Sequence, residues 1–210
     1  MKLRILPLLL AGLALPAVAQ DRSVALFVDK APGVDGTFNQ SGSVTHLKTS
    51  DYSGFGIKFG ANVTKWGPAT LEFNASYRFK GKEDLTITPG FGQTAKFEWS
   101  YLSAGADVNF TNVVDFGGGI DLRAQQSTLI LQSGSTSQEI GVNRFSPWIR
   151  AHVGYTFNAG AVKPFVALEG AWDLSAKDSY DVGTTDIDAN KAYGVASPKS
   201  EYSLQVGLRF

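Results

Sequence analysis

Apolar and polar residues alternate one by one in eight separate segments of this chain, and a period of two is the pattern of a β-strand with one apolar face. Residues 71–80, LEFNASYRFK, show it most sharply, because every odd position is apolar and every even position is polar. The abundance of Gly and aromatic residues also favours strands over helices. The predicted strands cover residues 22–30, 53–63, 71–80, 102–110, 116–125, 145–155, 166–174 and 202–210.

The connections between these strands alternate between long and short, as in transmembrane barrels of the outer membrane, where extracellular loops are long and periplasmic turns are short. An even number of strands then places both chain ends on the periplasmic side. The predicted long loops are 31–50, 81–95, 128–143 and 175–199, and the predicted short turns are 64–68, 111–114 and 156–161.

The first residues have the pattern of a secretory signal peptide. Lys2 and Arg4 precede a short apolar stretch, and Ala17-Val18-Ala19 supplies small residues for cleavage before Gln20. We therefore predict a signal peptide over 1–19 and a barrel domain over 20–210. No later stretch approaches the ~20 apolar residues of a membrane helix, so a membrane-spanning form must cross with strands.

The alternation alone does not say which face of each strand points outward, because a soluble lipocalin-type barrel has the same period with the apolar face inside. The polar face here is rich in small residues, which suit a narrow interior better than a solvated surface. Its glycines are Gly54, Gly56, Gly60, Gly105, Gly117, Gly119, Gly154 and Gly207.

Charged residues on the polar face also favour an interior position. A charge facing lipid costs roughly 2–4 kcal/mol near the midplane, whereas buried charges persist in paired networks. The cations match the anions in number, which predicts an interior filled by ion pairs. These residues are Lys58, Arg78, Lys80, Arg123, Arg150 and Arg209, with Glu72, Asp107, Asp121, Glu169, Asp173 and Glu201.

Aromatic residues lie at both ends of the apolar faces, as expected of the two belts at the membrane interfaces. The sequence thus predicts an all-β fold, a closed eight-stranded antiparallel up-and-down transmembrane β-barrel. The turn-side belt comprises Trp66, Phe110, Phe157 and Phe210, and the loop-side belt comprises Phe79, Trp99, Phe145, Trp172 and Tyr202.

The ending YSLQVGLRF, with alternating apolar residues and a terminal Phe210, resembles the C-terminal signal read by the outer-membrane assembly machinery. Together with the signal peptide and the loop asymmetry, it makes the chain similar to the OmpA-like and OmpX-like family of small outer-membrane barrels. The resemblance implies a location in the cell outer membrane and insertion by the barrel-assembly complex. It does not fix a function, since the family includes adhesins, anchors, small channels and lipid-modifying enzymes.

The two histidines do not form a catalytic set. His152 is predicted to face inward beside Arg150 as a hydrogen-bonded member of the interior network, and His46 to be an exposed loop residue. In lipid A deacylase barrels a His and a Ser lie together on the lipid side of one strand. Here Gly154 stands two residues after His152, so that pattern is absent.

One loop contains an acidic pattern, Asp186, Asp188 and Asn190, that resembles the start of a calcium loop. Lys191 stands where the loop needs Gly, and Ser197 stands where it needs the closing Glu, so a solvated acidic loop is the better interpretation. We predict no catalytic, cofactor-binding or metal-binding residues. The net charge of +0 predicts no nucleic-acid partner.

We expect a monomeric, non-enzymatic barrel with a plugged interior and a structural or surface-interaction role through its four long loops. Its expected partners are outer-membrane lipid, lipopolysaccharide and the assembly machinery. The loops carry scattered apolar residues, and trimming them is expected to leave folding intact. The alternatives are a narrow OmpW-like conduit for small hydrophobic solutes and a lipid A-modifying enzyme. The apolar loop residues are Phe38, Leu85, Ile87, Phe91, Ile140 and Tyr193.

Overall fold

A computed structural model of the chain describes residues 21–40, 42–88, 94–111, 113–133, 135–182 and 189–210. The predicted signal peptide, residues 1–19, lies outside the described residues. The strands are β1 (Arg22–Ala31), β2 (Asp35–Gln40), β3 (Ser43–Thr49), β4 (Tyr52–Trp66), β5 (Ala69–Thr88), β6 (Thr94–Phe110), β7 (Asp115–Ser133), β8 (Thr136–Thr156), β9 (Lys163–Asp173), β10 (Ser179–Val182) and β11 (Ser200–Arg209), with one short helix, α1 (Ala189–Gly194).

Eight of these strands form a closed antiparallel ring in the order β1, β4, β5, β6, β7, β8, β9 and β11. The ring closes where β1 pairs with β11, and there Arg22 and Phe210 exchange two backbone hydrogen bonds. Closure gives every strand of the ring a paired neighbour on both sides, which is the condition for strands to cross hydrocarbon. The predicted eight-stranded barrel is confirmed.

The apolar faces point outward, as predicted. Large apolar side chains such as Leu26, Phe55, Ile120 and Leu168 are exposed on the outer surface, while the glycines and most charges of the opposite face lie inside. Both aromatic belts are present, with one exception. Trp99 is 0% exposed and faces inward, so its assignment to the loop-side belt is wrong.

A β-bulge explains a second error. The pairing of β5 with β6 shifts between Arg78 and Gly81, where three residues of β5 advance against two of β6. A bulge reverses the side on which the following residues point. Lys80 is therefore 56% exposed instead of interior, and it pairs with Glu98 at 3.5 Å on the outside of the molecule.

The segments predicted as long loops are largely regular structure. Strands β5, β7 and β8 contain 20, 19 and 21 residues, about twice the 9–11 needed to cross a bilayer, so roughly 30 Å of each strand, measured along its length, lies beyond it. The segment 31–50 forms the β2–β3 hairpin, and β3 pairs with the outer end of β5. The fourth segment, 175–199, contributes β10, which pairs parallel to β2, and α1, which packs on β8.

These outer elements enclose a hydrophobic core, which we call the cap core. Its buried members are Phe27, Ala31, Val34, Phe38, Leu47, Tyr52, Leu85, Ala95, Phe97, Trp99, Tyr101, Leu129, Ala192, Val195 and Ala196. Each fully buried large apolar side chain contributes about 1.5–3 kcal/mol, so the outer segments are held by the same force that holds a soluble domain.

Specific contacts tie the cap core to the barrel mouth. The Tyr52 hydroxyl donates to the Ala196 carbonyl at 2.8 Å, and the Tyr52 ring packs against Trp99 with 5.8 Å between centroids. Phe38 packs edge-on against Tyr193 at 5.7 Å, and burial raises the pKa of Tyr193. No helix among the described residues is long and apolar enough to cross a bilayer.

Replacing Leu47 with Ala should loosen the cap core without opening the barrel. Leu47 is 0% exposed, and such a truncation costs about 2–5 kcal/mol through lost burial and the cavity left behind. Hydrogen exchange by mass spectrometry should show faster exchange in β2, β3 and α1, with unchanged protection in β9 and β11.

Val44→Ala on the same strand is the matched control, because Val44 is 48% exposed. It should leave exchange in the outer segments at the wild-type rate. Equal effects of the two substitutions would show that the outer segments share no cooperative core.

Candidate functional site: the charged interior and its outer closure

Directly beneath the cap core, Arg78 forms the first ion pair of the barrel interior. Its Nε donates to an Asp29 carboxylate oxygen at 2.7 Å, and its Nη1 donates to the Trp99 carbonyl at 2.7 Å. The guanidinium carbon lies 4.2 Å from the centroid of the Trp99 ring. Arg78 is fully buried, so its charge is compensated by a carboxylate, a carbonyl and a π-face at once.

Arg123 occupies a second position in the interior, stacked between two aromatic rings. Its guanidinium carbon lies 4.3 Å from the Tyr101 centroid and 4.0 Å from the Trp148 centroid. Arg123 Nη1 donates to Glu201 at 2.6 Å, and Nε donates to Asp121 at 3.2 Å. The Tyr101 hydroxyl also donates to Glu201, at 2.9 Å, so this carboxylate is held from two sides.

A third cluster lies deeper in the barrel around Asp107. Arg150 Nε donates to Asp107 at 2.8 Å, and Asn74 donates to the other carboxylate oxygen at 3.0 Å. Lys58 pairs with Glu169 at 2.6 Å and approaches Asp107 at 3.9 Å. These contacts link residues of β4, β5, β6, β8 and β9 across the lumen.

The periplasmic end is more open. Arg209 pairs with Asp115 at 2.9 Å and donates to the Thr156 hydroxyl at 2.8 Å. Below this pair lies a polar vestibule of about 450 Å³, and above it a cavity of about 30 Å³ that Lys58, Glu72 and Arg209 help to line. Arg209 borders both spaces.

The interior agrees with the predicted network in all its predicted members except Lys80. Two buried carboxylates were missed, Asp29 and Asp115. Asp29 lies on β1, where the inward face also carries Phe27, so its alternation was the weakest of the eight. Adding these two carboxylates and removing Lys80 leaves more carboxylates than cations among the described interior residues. The predicted equality of their numbers is therefore wrong.

His152 faces inward, as predicted, opposite Glu169 in the β8–β9 register. Its Nδ1 is buried and has no hydrogen-bond partner among the described residues, so the predicted hydrogen-bonded role stays a prediction. His152 also lines the 30 Å³ cavity near Glu72.

Of the loop residues singled out in the sequence, some lie among the described residues and others do not. His46 is exposed on β3, as predicted. Phe91, Asp186 and Asp188 lie outside the described residues, as does the side chain of Asn190. Within the described ranges, no group of three or more His, Cys, Asp or Glu side chains is arranged to hold a metal ion.

A closed ring of eight strands, an exposed apolar band and two aromatic belts define a small β-barrel of the outer membrane. One solved structure supports this fold. The outer-membrane protein OprG of Pseudomonas aeruginosa is similar over 91% of this chain and 95% of its own, with 9% identity and a TM-score of 0.52.

Two further structures are similar at lower scores. Ail, the attachment invasion locus protein of Yersinia pestis, matches 90% of this chain and 98% of its own at 12% identity and a TM-score of 0.44. Neisserial surface protein A matches 90% and 95% at 14% identity and a TM-score of 0.42. No protein-family model matches the chain, and no curated protein matches it by sequence. At these identities the likeness concerns the fold alone.

Replacing Glu201 with Gln should destabilise the barrel by about 3 kcal/mol, because Arg123 then keeps its buried charge with less compensation. The change is measurable as a lower urea midpoint of unfolding in lipid vesicles, followed by tryptophan fluorescence.

Glu98→Gln is the control, because Glu98 pairs with Lys80 at 3.5 Å and Lys82 at 3.4 Å on the outer surface. Exposed pairs contribute about 0–1 kcal/mol, so its midpoint should stay near wild type. If both variants unfolded at the same urea concentration, the Arg123 cluster would not stabilise the fold.

Proposed function

We propose that this protein is a non-conducting outer-membrane barrel that acts at the cell surface through its ordered outer end. The observation that carries the proposal is the continuity of the cap core with the barrel interior. Phe27 and Tyr101 of the barrel belong to the same buried cluster as Leu47, Leu85 and the residues of α1.

Ion passage would require two costly changes. An ion would have to cross the apolar cap core, where it loses its hydration without compensation. It would then have to separate buried pairs such as Arg78–Asp29 and Arg123–Glu201, each of which leaves an unpaired charge when broken. An eight-stranded barrel has room inside for side chains and little else.

The cap core also changes how the outer segments would meet a partner. Phe38, Leu85, Ile140 and Tyr193 were expected to be available in loops, but they pack in or against the cap core. Recognition therefore falls to polar side chains on a rigid surface, such as His46 and the exposed residues beside it on β3. Because the four segments share one core, trimming one of them exposes apolar residues of the others, contrary to the expectation from loop length alone.

Planar-bilayer recordings should show no steady conductance steps for the purified full chain. A general porin reconstituted in the same lipid serves as the positive control, and heat-modifiable migration on gels verifies that the barrel is folded. Reproducible steps of porin size from the folded protein would refute the closed interior.

A second candidate function, a sideways conduit for small apolar solutes, is favoured by a gap in the barrel wall. The β4–β5 ladder ends outward at the Gly56–Arg78 pair, and Glu83 bridges the gap by accepting from the Ser53 backbone N–H at 3.2 Å. Outside it, Phe55 stacks on Phe79 with 4.8 Å between ring centroids.

The conduit can be tested by measuring how fast a small apolar dye enters proteoliposomes. Entry that is faster still with the Glu83→Ala variant would favour the conduit. Entry at the rate of protein-free liposomes would exclude it.

We propose further that the protein is not an enzyme, because the buried Nδ1 of His152 makes no hydrogen bond with any of the described residues, whereas a general base needs its partner groups within hydrogen-bond reach. Mass spectrometry of lipid A from cells with and without the protein should give identical acyl and phosphate patterns. A gained or lost acyl chain that depends on His152 would overturn this proposal.

The remaining roles concern assembly. Phe210 is exposed at the periplasmic end of β11, next to the seam between β1 and β11. We propose that the barrel-assembly machinery binds this strand during insertion and that the mature protein is a monomer surrounded by outer-membrane lipid and lipopolysaccharide.

A further inference from the structure

The cavity of about 30 Å³ inside the barrel has a mostly polar wall, and three of its side chains lie directly over glycines. A Cβ at Gly60 would lie 2.5 Å from Glu72 Oε1. A Cβ at Gly117 would lie 2.5 Å from Asn109 Oδ1 and 2.9 Å from His152 Cε1. The two glycines therefore provide the space in which these polar groups meet.

The cavity is lined by buried polar atoms that have no partner among the described residues. Asn109 is 8% exposed, and both its Oδ1 and His152 Nδ1 are buried without a hydrogen bond there. Buried polar atoms are nearly always bonded to protein or to ordered water. A water molecule needs roughly 10–15 Å³, so the cavity has room for about two of them beside these atoms.

Glu72 is the surplus charge in this part of the lumen. It makes no hydrogen bond or ion pair with any of the described residues. The cations around the cavity each have a carboxylate partner already, in the pairs Lys58–Glu169, Arg150–Asp107 and Arg209–Asp115. An unpaired buried carboxylate is costly, and a proton removes that cost. The region is therefore neutral with one extra proton and negative without it.

The other charged groups around Glu72 and His152 are unsuited to hold this proton, because each of them belongs to an ion pair that the proton would weaken. Strand β1 contributes the neutral Ser23 to the cavity wall. The charged groups on the lumen side of the surrounding strands are Lys58 of β4, Asp107 of β6, Asp115 and Asp121 of β7, Arg150 of β8, Glu169 of β9 and Arg209 of β11.

We propose that this cavity binds one proton and about two water molecules, and that the folded protein keeps the proton at neutral pH. Glu72 and His152 are the two groups that carry it, and the water molecules connect them with Asn109 Oδ1. With the proton on His152, the imidazolium and the Glu72 carboxylate compensate each other. With the proton on Glu72, both groups are neutral.

The proton exchanges with the periplasm. Arg209 lines both the cavity and the polar vestibule at the periplasmic end, whereas the cap core covers the opposite end of the lumen. The site goes beyond the surface role proposed above and does not depend on it.

The test compares the pH dependence of folding in the wild type and in E72Q, by urea unfolding in lipid vesicles. Between about pH 7 and pH 9 an unfolded chain has lost the protons of Glu and of most His, whose ordinary pKa values are about 4.3 and 6.5. A folded chain that keeps one proton then loses stability as the pH rises, by about tenfold in the folding equilibrium constant per pH unit. The amide of E72Q is neutral without a proton, so this variant should lack that tenfold dependence.

E98Q is the control variant, because Glu98 pairs with Lys80 and Lys82 on the outer surface. Its pH dependence should follow that of the wild type. Parallel curves for the wild type and E72Q, or equal flattening in both variants, would overturn the site. Heat-modifiable migration verifies that each variant is folded.

A measurement on the wild type alone keeps the proposal testable if E72Q fails to fold. Nuclear magnetic resonance of isotope-labelled His and Glu in detergent micelles reports the protonation of His152 and Glu72 at neutral pH. We expect either a doubly protonated His152 ring or a protonated Glu72 carboxyl. A neutral ring together with an ionised carboxylate would overturn the proposal. Neither experiment involves conductance, so the proton site and the closed interior can fail separately.

Discussion

Backbone hydrogen bonding in hydrocarbon is the constraint from which the rest of this structure follows. No water is present there to satisfy an unpaired N–H or C=O, so the strands must close into a ring, and the β1–β11 seam completes it. A ring of eight has a lumen so narrow that backbones and side chains compete for space. At Gly56 and Gly119 even a Cβ would collide with Phe27 or the Ala106 carbonyl. The remaining space is filled by charged groups that compensate one another.

The surroundings of each strand decide which of its faces is apolar. Within the bilayer the apolar side chains of β6 point outward, as Leu102 and Val108 do, because lipid surrounds the wall. Beyond the bilayer water surrounds it, and the apolar side chains Phe97 and Trp99 point inward. The same inversion occurs on β8, between Phe145 outside and Val142 inside. The same strands therefore bury apolar side chains against lipid within the bilayer and in the cap core beyond it.

The sequence was sufficient for everything that a single strand determines, including the eight spanning segments, their lipid-facing sides and most interior charges. It failed where two strands act together. The bulge that turns Lys80 outward depends on the pairing of β5 with β6, and Trp99 was assigned to a belt because the change of surroundings was not recognised.

The cap core has a consequence for insertion. It takes residues from all four outer segments, for example Phe38, Leu85, Leu129 and Val195, so it cannot form until each has been translocated to the far side of the membrane. These apolar side chains must therefore travel across uncovered and assemble last. Once assembled, the core joins all four segments, and no hairpin can slide back toward the periplasm unless the core first unfolds. Extraction of the protein from the membrane is then limited by the rate of that unfolding, a soluble-protein property that controls the lifetime of a membrane protein.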